Sequence, residues 1–225
     1  MGRKKMKNLQ FAVLGLGIFG SRMVKTLAKN GCIVLAVDRK QARVDEVKEY
    51  ATRTVLADVT DEHTLRDLDI ASFDNVIIGI GGNMQASIMC TLLCKELGAQ
   101  NITAKAVNAN HASILQKIGV DRVIIPEADS ADKAALLIAY PQISDMVQLK
   151  DDLCILEIDT PKSWYDKPIK ELHIREKYGV TVIFILTDEG SLTPSGDSMF
   201  PQDSTVVVAG SMDRLETLLS RLGQK

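Results

Sequence analysis

The stretch FAVLGLGIFGSRMVKTLAKNGCIVLAVDRK, residues 11–40, constrains the fold more than any other part of the chain. Its first apolar run leads into Gly15, Gly17 and Gly20, which have the spacing G-x-G-x-x-G. A helical pattern and a second apolar run follow, and Asp38 ends that run about 20 residues after the turn. This order predicts a strand, a glycine turn, a helix and a strand, the first half of a dinucleotide-type α/β fold.

Short apolar runs alternate with helical patterns through the first two-thirds of the chain. Runs this apolar are typical of strands that are covered on both faces, as in a parallel sheet wound by helices. We predict strands at Phe11–Leu14, Ile33–Val37, Thr54–Ala57, Val76–Ile80, Ile102–Val107 and Val123–Ile125, with helices at Ile18–Lys29, Gln41–Tyr50, Glu62–Leu68, Gln85–Leu97 and Ala109–Ile118. Six such strands with right-handed crossovers make a Rossmann-like, doubly wound domain.

A second, smaller domain is predicted after a helix at Glu127–Ala139, which has no strand of the first sheet left to cover. LCILEID, VTVIFIL and STVVVAG predict three strands, with helices at Ile169–Lys177 and Met212–Leu222. We therefore expect an N-terminal domain at residues 8–140, including the trailing crossover helix, and an α+β domain at residues 146–225. A domain this small leaves apolar sheet exposed, so we expect it to pair with a second copy.

The composition argues against several classes of protein. A net charge of -2 gives no broad basic field for a nucleic-acid partner, and the one basic cluster lies at residues 3–7. No window has the roughly 18 apolar residues that cross a bilayer, and no cleavage region follows the basic start. The four cysteines form no C-x-x-C pair. We expect a cytoplasmic protein.

The glycine spacing predicts a nucleotide site. Gly15 makes the tight bend, Gly17 lets the backbone approach a pyrophosphate, and Gly20 allows close contact between helix and strand. The amides that follow then point outward at the positive end of a helix, where a phosphate binds.

Two carboxylates at strand ends extend this site. Asp38 is expected to accept hydrogen bonds from the ribose hydroxyls, and its charge argues against NADP, which carries a 2′-phosphate. Arg39, whose guanidinium could pair with such a phosphate, is expected over the adenine or in solvent. Asp58, after the third strand, is placed either to meet the adenine amino group or to cap a helix.

Catalytic patterns are missing beside the site. No tyrosine is followed four residues later by lysine, G-x-x-x-x-G-K-[ST] does not occur, and His63, His111 and His173 are scattered. We therefore expect binding without catalysis. An NAD-dependent oxidoreductase remains the main alternative. A redox-sensing DNA-binding repressor is a second one, although no basic recognition helix is found.

Five segments, FAVLGLGIFG, VLAVDRK, NMQASIMCTLLCKELGAQNITAKAVN, LQKIGVDRVIIPE and IREKYGVTVIFI, together resemble one family. They are similar, in this order, to the cytosolic regulatory subunits of bacterial Ktr/Trk potassium-uptake systems, which are built from RCK (regulator of potassium conductance) domains. The resemblance covers residues 9–222 and is closest to the Ktr branch. It implies dimers that assemble into an octameric ring on a membrane-embedded, potassium-translocating partner at the inner face of the cell membrane.

The resemblance also implies ligands for the first domain. In the family, ATP and ADP, and in some members NAD(H), bind the N-terminal site. The nucleotide contacts would be Gly15, Gly17, Ile18, Phe19, Gly20, Asp38, Arg39, Asp58, Val59, Ile80, Gly81 and Lys105. Glu127 matches a carboxylate that takes part in binding Mg²⁺ or Ca²⁺ near the γ-phosphate. Considered without the family, Lys105 is a surface lysine and Glu127 an acid in the first turn of a helix.

Ile18 departs from the family pattern, because Ktr subunits commonly carry there an arginine that pairs with the γ-phosphate. Losing this charge-assisted partner predicts a weaker preference for ATP over ADP, or a shift toward ADP or NAD(H).

The small domain resembles the RCK C-terminal module, which binds cyclic di-AMP between two subunits in some Gram-positive members. Ile174 and Arg175 fall at the corresponding pocket positions, with Ile169 expected as an apolar neighbour. Arginine suits a phosphodiester, and aliphatic side chains suit adenine. Without the resemblance, Arg175 would equally be a surface cation.

Overall fold

The computed structural model describes residues 8–149 and 152–222, which form two compact units. The first unit extends to Asp129, and the second begins at Ser130. The basic cluster at residues 3–7 lies outside the described residues. The domain bounds 8–140 and 146–225 stay a prediction, and residues 223–225 also lie outside the described part.

The first unit is a parallel sheet wound by helices. Its described strands are β1 (Gln10–Leu14), β2 (Ile33–Asp38), β3 (Arg53–Leu56), β4 (Asn75–Ile78), β5 (Ile102–Lys105) and β6 (Arg122–Ile124). Its helices are α1 (Ile18–Lys29), α2 (Gln41–Val47), α3 (Glu62–Asp67), α4 (Met84–Glu96) and α5 (Ala109–Ile118), with a 3₁₀ turn at Ile70–Ser72. The strand order β3-β2-β1-β4-β5-β6 is that of a doubly wound dinucleotide-binding sheet, which confirms the predicted fold class.

Each face of this sheet has its own hydrophobic core. Ala12 and Leu14 of β1 pack into one cluster, whereas Val13 between them packs into the other. Because neighbouring side chains of a strand point to opposite faces, a strand covered on both sides must be apolar throughout. Val24 and Leu27 of α1 pack into the same cluster as Val13. The chain reverses its strand order between β1 and β4, which opens a crevice at their carboxyl ends.

In the described part of the chain, three helices begin with a side-chain cap. The Asp61 carboxylate accepts hydrogen bonds from His63 N and Thr64 N at the start of α3. Asn83 and Asn108 likewise accept from backbone amides at the starts of α4 and α5. These caps satisfy first-turn donors that have no partner inside a helix.

The second unit is an antiparallel sheet with helices. A helix that crosses the boundary, α6 (Pro126–Ala139), leads into it. Among the residues described, its strands are β7 (Ile143–Gln148), β8 (Leu153–Asp159), β9 (Thr181–Thr187), β10 (Gly190–Leu192) and β11 (Thr205–Ser211), in the order β10-β9-β11-β8-β7. Its helices are α7 (Ile169–Leu172), α8 (Ile174–Tyr178) and α9 (Met212–Leu222), with a 3₁₀ turn at Lys162–Trp164.

The prediction of three strands was wrong for this sheet, since β7 and β10 were missed. Buried residues recur every third position in β7, at Ile143 and Met146, so the strand lacks the alternation that reveals a half-buried strand. The three residues of β10 are all exposed. The single predicted helix at 169–177 is two short helices, because His173 adopts a left-handed conformation with φ 48°.

The core of the second unit lies on one face of its sheet. Cys154, Leu156 and Ile158 of β8 alternate into it, and Leu136 and Leu137 of α6 pack against it. The opposite face also carries exposed apolar side chains, at Val147, Leu153 and Phe184. No helix in residues 8–149 and 152–222 is long and apolar enough to cross a membrane.

Candidate functional site

The glycine turn joins β1 to α1 in a tightly crowded backbone. Gly15 has a φ of 94° and donates its N–H to Val37 O at 2.8 Å, so the bend is held against the end of β2. At Gly20 a Cβ atom would lie 1.9 Å from the carbonyl oxygen of Gly15. A positive φ and such an approach both require glycine. The spacing therefore works first as a packing device for strand and helix.

Gly17 differs from the other two, because a Cβ on it would meet nothing within 4 Å. It caps α1, and its carbonyl accepts from Ser21 N at 2.9 Å. The first-turn amides of a helix have no partner within the helix and lie at its positive end. This open backbone offers donors to an anion.

The carboxylate of Asp38 lies under the turn, with its side chain only 4% exposed. Its Oδ2 accepts from Leu16 N at 2.7 Å and from Arg43 Nη1 at 3.3 Å, and its Oδ1 accepts from Lys40 N at 2.9 Å. Asp38 therefore holds the glycine turn and α2 as well as marking the end of β2.

The next strand end carries Asp58, which is exposed. Its Oδ1 accepts from Thr60 N at 3.0 Å and from Thr60 Oγ1 at 2.7 Å. These hydrogen bonds, with a smaller attraction from Arg39, hold the pKa of Asp58 below its usual range. Arg39 is exposed, and Val59 is buried in the core, so that only its backbone is available to a ligand.

Lys105 and Glu127, which lie 22 residues apart, meet at the carboxyl end of β5. Lys105 Nζ donates to Glu127 Oε1 at 2.5 Å, and this hydrogen bond lowers the pKa of Glu127. A Cβ on Gly81 would lie 3.1 Å from Lys105 Nζ. Ile80, next to Gly81, packs against Gly15, where a Cβ would approach its Cγ1 to 2.8 Å.

The two residues after Gly17 point in different directions. Ile18 is 96% exposed, whereas Phe19 is partly buried against the core that contains Val13. An apolar side chain, without charge or hydrogen-bonding atoms, thus stands at the mouth of the turn.

Two residues of the site were missed at the level of sequence. A Cβ on Gly79, which follows β4, would lie 2.6 Å from Gly15 O, and Gly79 N donates to Leu14 O at 2.8 Å. The sequence signal for Gly79 was a glycine at the end of the predicted fourth strand. Arg43 reaches Asp38 from α2, and its place in the first turn after β2 was the only hint.

The predicted positions in the second unit are not equally accessible. Ile174 is 3% exposed and packs in the core, and Ile169 is partly buried against the same cluster. Arg175 is exposed. The charged member of this set is available to a ligand at the surface, whereas Ile174 supports the fold.

Two domain families match this chain. The TrkA-N domain matches residues 11–126, and the TrkA-C domain matches residues 154–223. Ktr system potassium uptake protein A of Bacillus subtilis (strain 168) is 39% identical over 211 residues, covering 93% of this chain and 94% of that protein. Protein C of the same organism is 36% identical, covering 95% and 97%. Ktr system potassium uptake protein A of Vibrio alginolyticus is 32% identical, covering 97% and 100%.

Solved structures share the architecture. The GsuK RCK domain has a TM-score of 0.65 and 18% identity, and the GsuK channel bound to NAD has a TM-score of 0.65 and 19% identity. Each match covers 97% of this chain, which spans 48% and 40% of those two longer chains. At this identity the likeness shows the fold.

Proposed function

Since the chain belongs to the family of TrkA-N and TrkA-C domain proteins that includes the Ktr system potassium uptake proteins, we propose that it is the nucleotide-sensing regulatory subunit of a bacterial potassium channel or transporter. The observation that carries the proposal is the open helix start at Gly17, with Asp38 and Lys105 at the same edge of the sheet. It binds its ligand without converting it, at the inner face of the membrane on a potassium-translocating partner.

The ligand of the first unit is ATP or ADP, or NAD(H). Backbone donors at Gly17 suit a pyrophosphate, and exposed Asp58 suits the adenine amino group. Binding of NAD by a protein of the same fold, GsuK, is compatible with this ligand class. Ile18 offers no charge to a γ-phosphate, so we expect a weaker preference for ATP over ADP, or a shift toward ADP or NAD(H).

A divalent cation, Mg²⁺ or Ca²⁺, would join the site through Glu127. Carboxylate oxygens are the ligands that these hard cations prefer, and Glu127 Oε1 is now held by Lys105. With a nucleotide bound, the Lys105 ammonium would turn to phosphate and leave the carboxylate to the cation. The ion would neutralise phosphate charge that Lys105 alone does not balance.

The second unit would pair with a second copy and bind a further ligand. The exposed apolar face at Val147, Leu153 and Phe184 is suited to a copy of itself. Arg175 suits the phosphodiester of cyclic di-AMP, and the partly buried Ile169 suits its adenine. In this proposal residues 8–140 form the nucleotide-binding domain, and residues 146–225 form the domain for dimerisation and for the second ligand. The dimers assemble into an octameric ring.

Signalling would follow from differential binding. A nucleotide shifts an equilibrium between two arrangements of neighbouring subunits only by the difference of its affinities for them. The coupling free energy between ligand binding and such a change is typically about 1–3 kcal/mol per site. In a ring the same contribution is made by every subunit. Nucleotides with different phosphate tails would then favour different arrangements of the ring.

The variant Gly17→Ala tests the site. Its Cβ has free space in the protein but would occupy the side from which a pyrophosphate approaches. We expect the melting temperature without ligand to stay near that of wild type. Titration calorimetry should show at least about tenfold weaker binding of ATP, ADP and NAD. Gly196→Ala is the matched control, since its Cβ would make only ordinary contact, 3.7 Å from Lys170 Cβ.

Unchanged affinities in Gly17→Ala would refute the site. X-ray scattering of the wild-type assembly tests the response, because identical profiles with saturating ATP and ADP would contradict a ring that distinguishes them. Steady hydride transfer from NADH to a metabolite panel would instead favour the oxidoreductase alternative.

A further inference from the structure

An open cavity of about 410 Å³ lies between α1 and α2, beside the glycine turn. Gly17 lines it on one side, and the cationic side chains of Arg22, Lys25 and Arg43 line it together with Glu46. The site proposed above uses neither Arg22 nor Lys25. The cavity is thus a basic extension of the nucleotide crevice on the side of α2.

The cations outnumber the anions that they contact. Lys25 Nζ pairs with Glu46 Oε1 at 3.0 Å, and Arg43 reaches Asp38 at 3.3 Å. Within residues 8–149 and 152–222, Arg22 makes no ion pair. It is exposed and stands one helical turn after Ile18. The cavity therefore carries uncompensated positive charge.

Arg43 connects this cavity to the expected position of the ribose. Its guanidinium contacts Asp38, the carboxylate at the end of β2 that faces the adenosine ribose in this fold. The Arg43 guanidinium faces the carboxylate of Asp38 as a counter-charge, and the backbone amides of Leu16 and Lys40 donate to its two oxygens. The repulsion of a 2′-phosphate by Asp38 stays a prediction, and the pairing of the buried carboxylate with Arg43 would reduce it.

We propose that the cavity binds a phosphate ester carried on the ribose of the adenosine, at the 2′ or 3′ hydroxyl, as NADP(H) carries one at the 2′ position. The inference rests on the proposed nucleotide site and extends its ligand class. Arg22 binds the added phosphate directly. Arg43, whose side chain is 45% exposed, keeps its contact to Asp38 and offers its remaining N–H donors to the ester, and Lys25 adds charge. Arginine is suited to this task because its planar fork matches phosphate oxygens in pairs.

Titration calorimetry on the full chain tests the inference with three matched probes. These are AMP, adenosine 2′,5′-bisphosphate and adenosine 3′,5′-bisphosphate, with ADP and NAD as references for the main site. We expect one bisphosphate to bind about tenfold or more tightly than AMP, since a charge-assisted hydrogen bond contributes about that factor. The preferred isomer identifies the position of the ester.

Arg22→Gln should remove the preference while leaving the affinity for AMP unchanged. Lys29→Gln, an exposed cation in the last turn of the same helix, should leave both unchanged. Equal affinities for AMP and both bisphosphates, with ADP or NAD still bound, would overturn the ester site alone. A preference that survives Arg22→Gln would also overturn it. Failure of every probe to bind would overturn the proposed nucleotide site as well.

Discussion

Replacing Asp38 by alanine should destabilise the first unit as well as weaken nucleotide binding. The spacing after the glycine turn predicts that Asp38 accepts hydrogen bonds from the ribose. If that were its only role, removing the carboxylate would leave the fold intact. In the structure the carboxylate is buried and accepts from Leu16 N at 2.7 Å. Asp38→Ala would leave that amide, in a residue that is 1% exposed, without an acceptor.

The magnitude follows from the three donors that Asp38 satisfies. An orphaned buried amide costs about 1–3 kcal/mol. The Arg43 side chain is 45% exposed, so its ion pair adds only about 0–1 kcal/mol. Lys40 is exposed, and water can take the place of the carboxylate there. We therefore expect a loss of roughly 2–3 kcal/mol and a melting temperature lower by roughly 5–10 °C.

Urea unfolding without ligand, followed by far-ultraviolet circular dichroism, measures this loss. The only tryptophan of the chain, Trp164, lies in the second unit, and its fluorescence gives an internal reference. Asp38→Asn keeps one carbonyl oxygen for Leu16 N and should lose less than half as much. Asp67→Ala, at an exposed aspartate of α3, should change stability by less than about 0.5 kcal/mol. If Asp38→Ala unfolds at the wild-type urea concentration, or if Asp38→Asn is equally unstable, the buried-acceptor argument is wrong.

Three further changes probe other parts of the molecule. Gly20→Ala would place a Cβ 1.9 Å from a backbone oxygen of the glycine turn. We therefore expect urea unfolding to show a free energy of unfolding lower by more than about 4 kcal/mol. A decrease under about 1 kcal/mol would contradict this close packing. The N–H of Ile102 holds the pKa of Asp121 below its usual range, so this carboxylate stabilises the fold above about pH 4 and ceases to do so as pH falls through its lowered pKa. Asp121→Asn should thus be less stable than wild type at pH 6 and as stable as wild type near pH 2. The same loss of stability at both pH values would show that the charge of Asp121 does not stabilise the fold. Thr160→Val removes a buried hydroxyl pair with Ser204, whose Oγ keeps a second acceptor, and should cost about 1 kcal/mol by thermal melting; a change near zero would show that the pair contributes nothing.

The parallel sheet could be predicted from sequence because its strands are buried on both faces. Ala12, Val13 and Leu14 all face a core, so β1 is an unbroken apolar run that the glycine turn ends. The strand β7 gave no such signal, since Ile143 and Met146 are spaced as on a helix and its other residues are exposed. Its assignment depends on pairing with β8, which local sequence does not contain.

The same limit applies to the site. Gly15 and Asp38 follow from spacing along the chain, because one turn and one strand end fix their places. The pair of Arg43 with Asp38 and the charge around Arg22 depend on how α2 packs beside α1, which periodicity does not specify. The family resemblance pointed to Lys105, the residue expected to contact the phosphates of the main site. It did not point to the basic cavity between α1 and α2, because that cavity depends on packing.

The carbonyl oxygen of Gly15 limits which residues can replace the glycines around it. A methyl group on Gly20 or on Gly79 would collide with it at 1.9 Å or 2.6 Å, so residues from two separate turns crowd a single atom. A substitution at Gly20 or Gly79 alone would therefore force the backbone of the other turn to move, because the β1–α1 and β4–α4 connections are in close contact there. Because the protein interior is close-packed, movement of one connection would strain the other, so this oxygen couples the two turns rigidly.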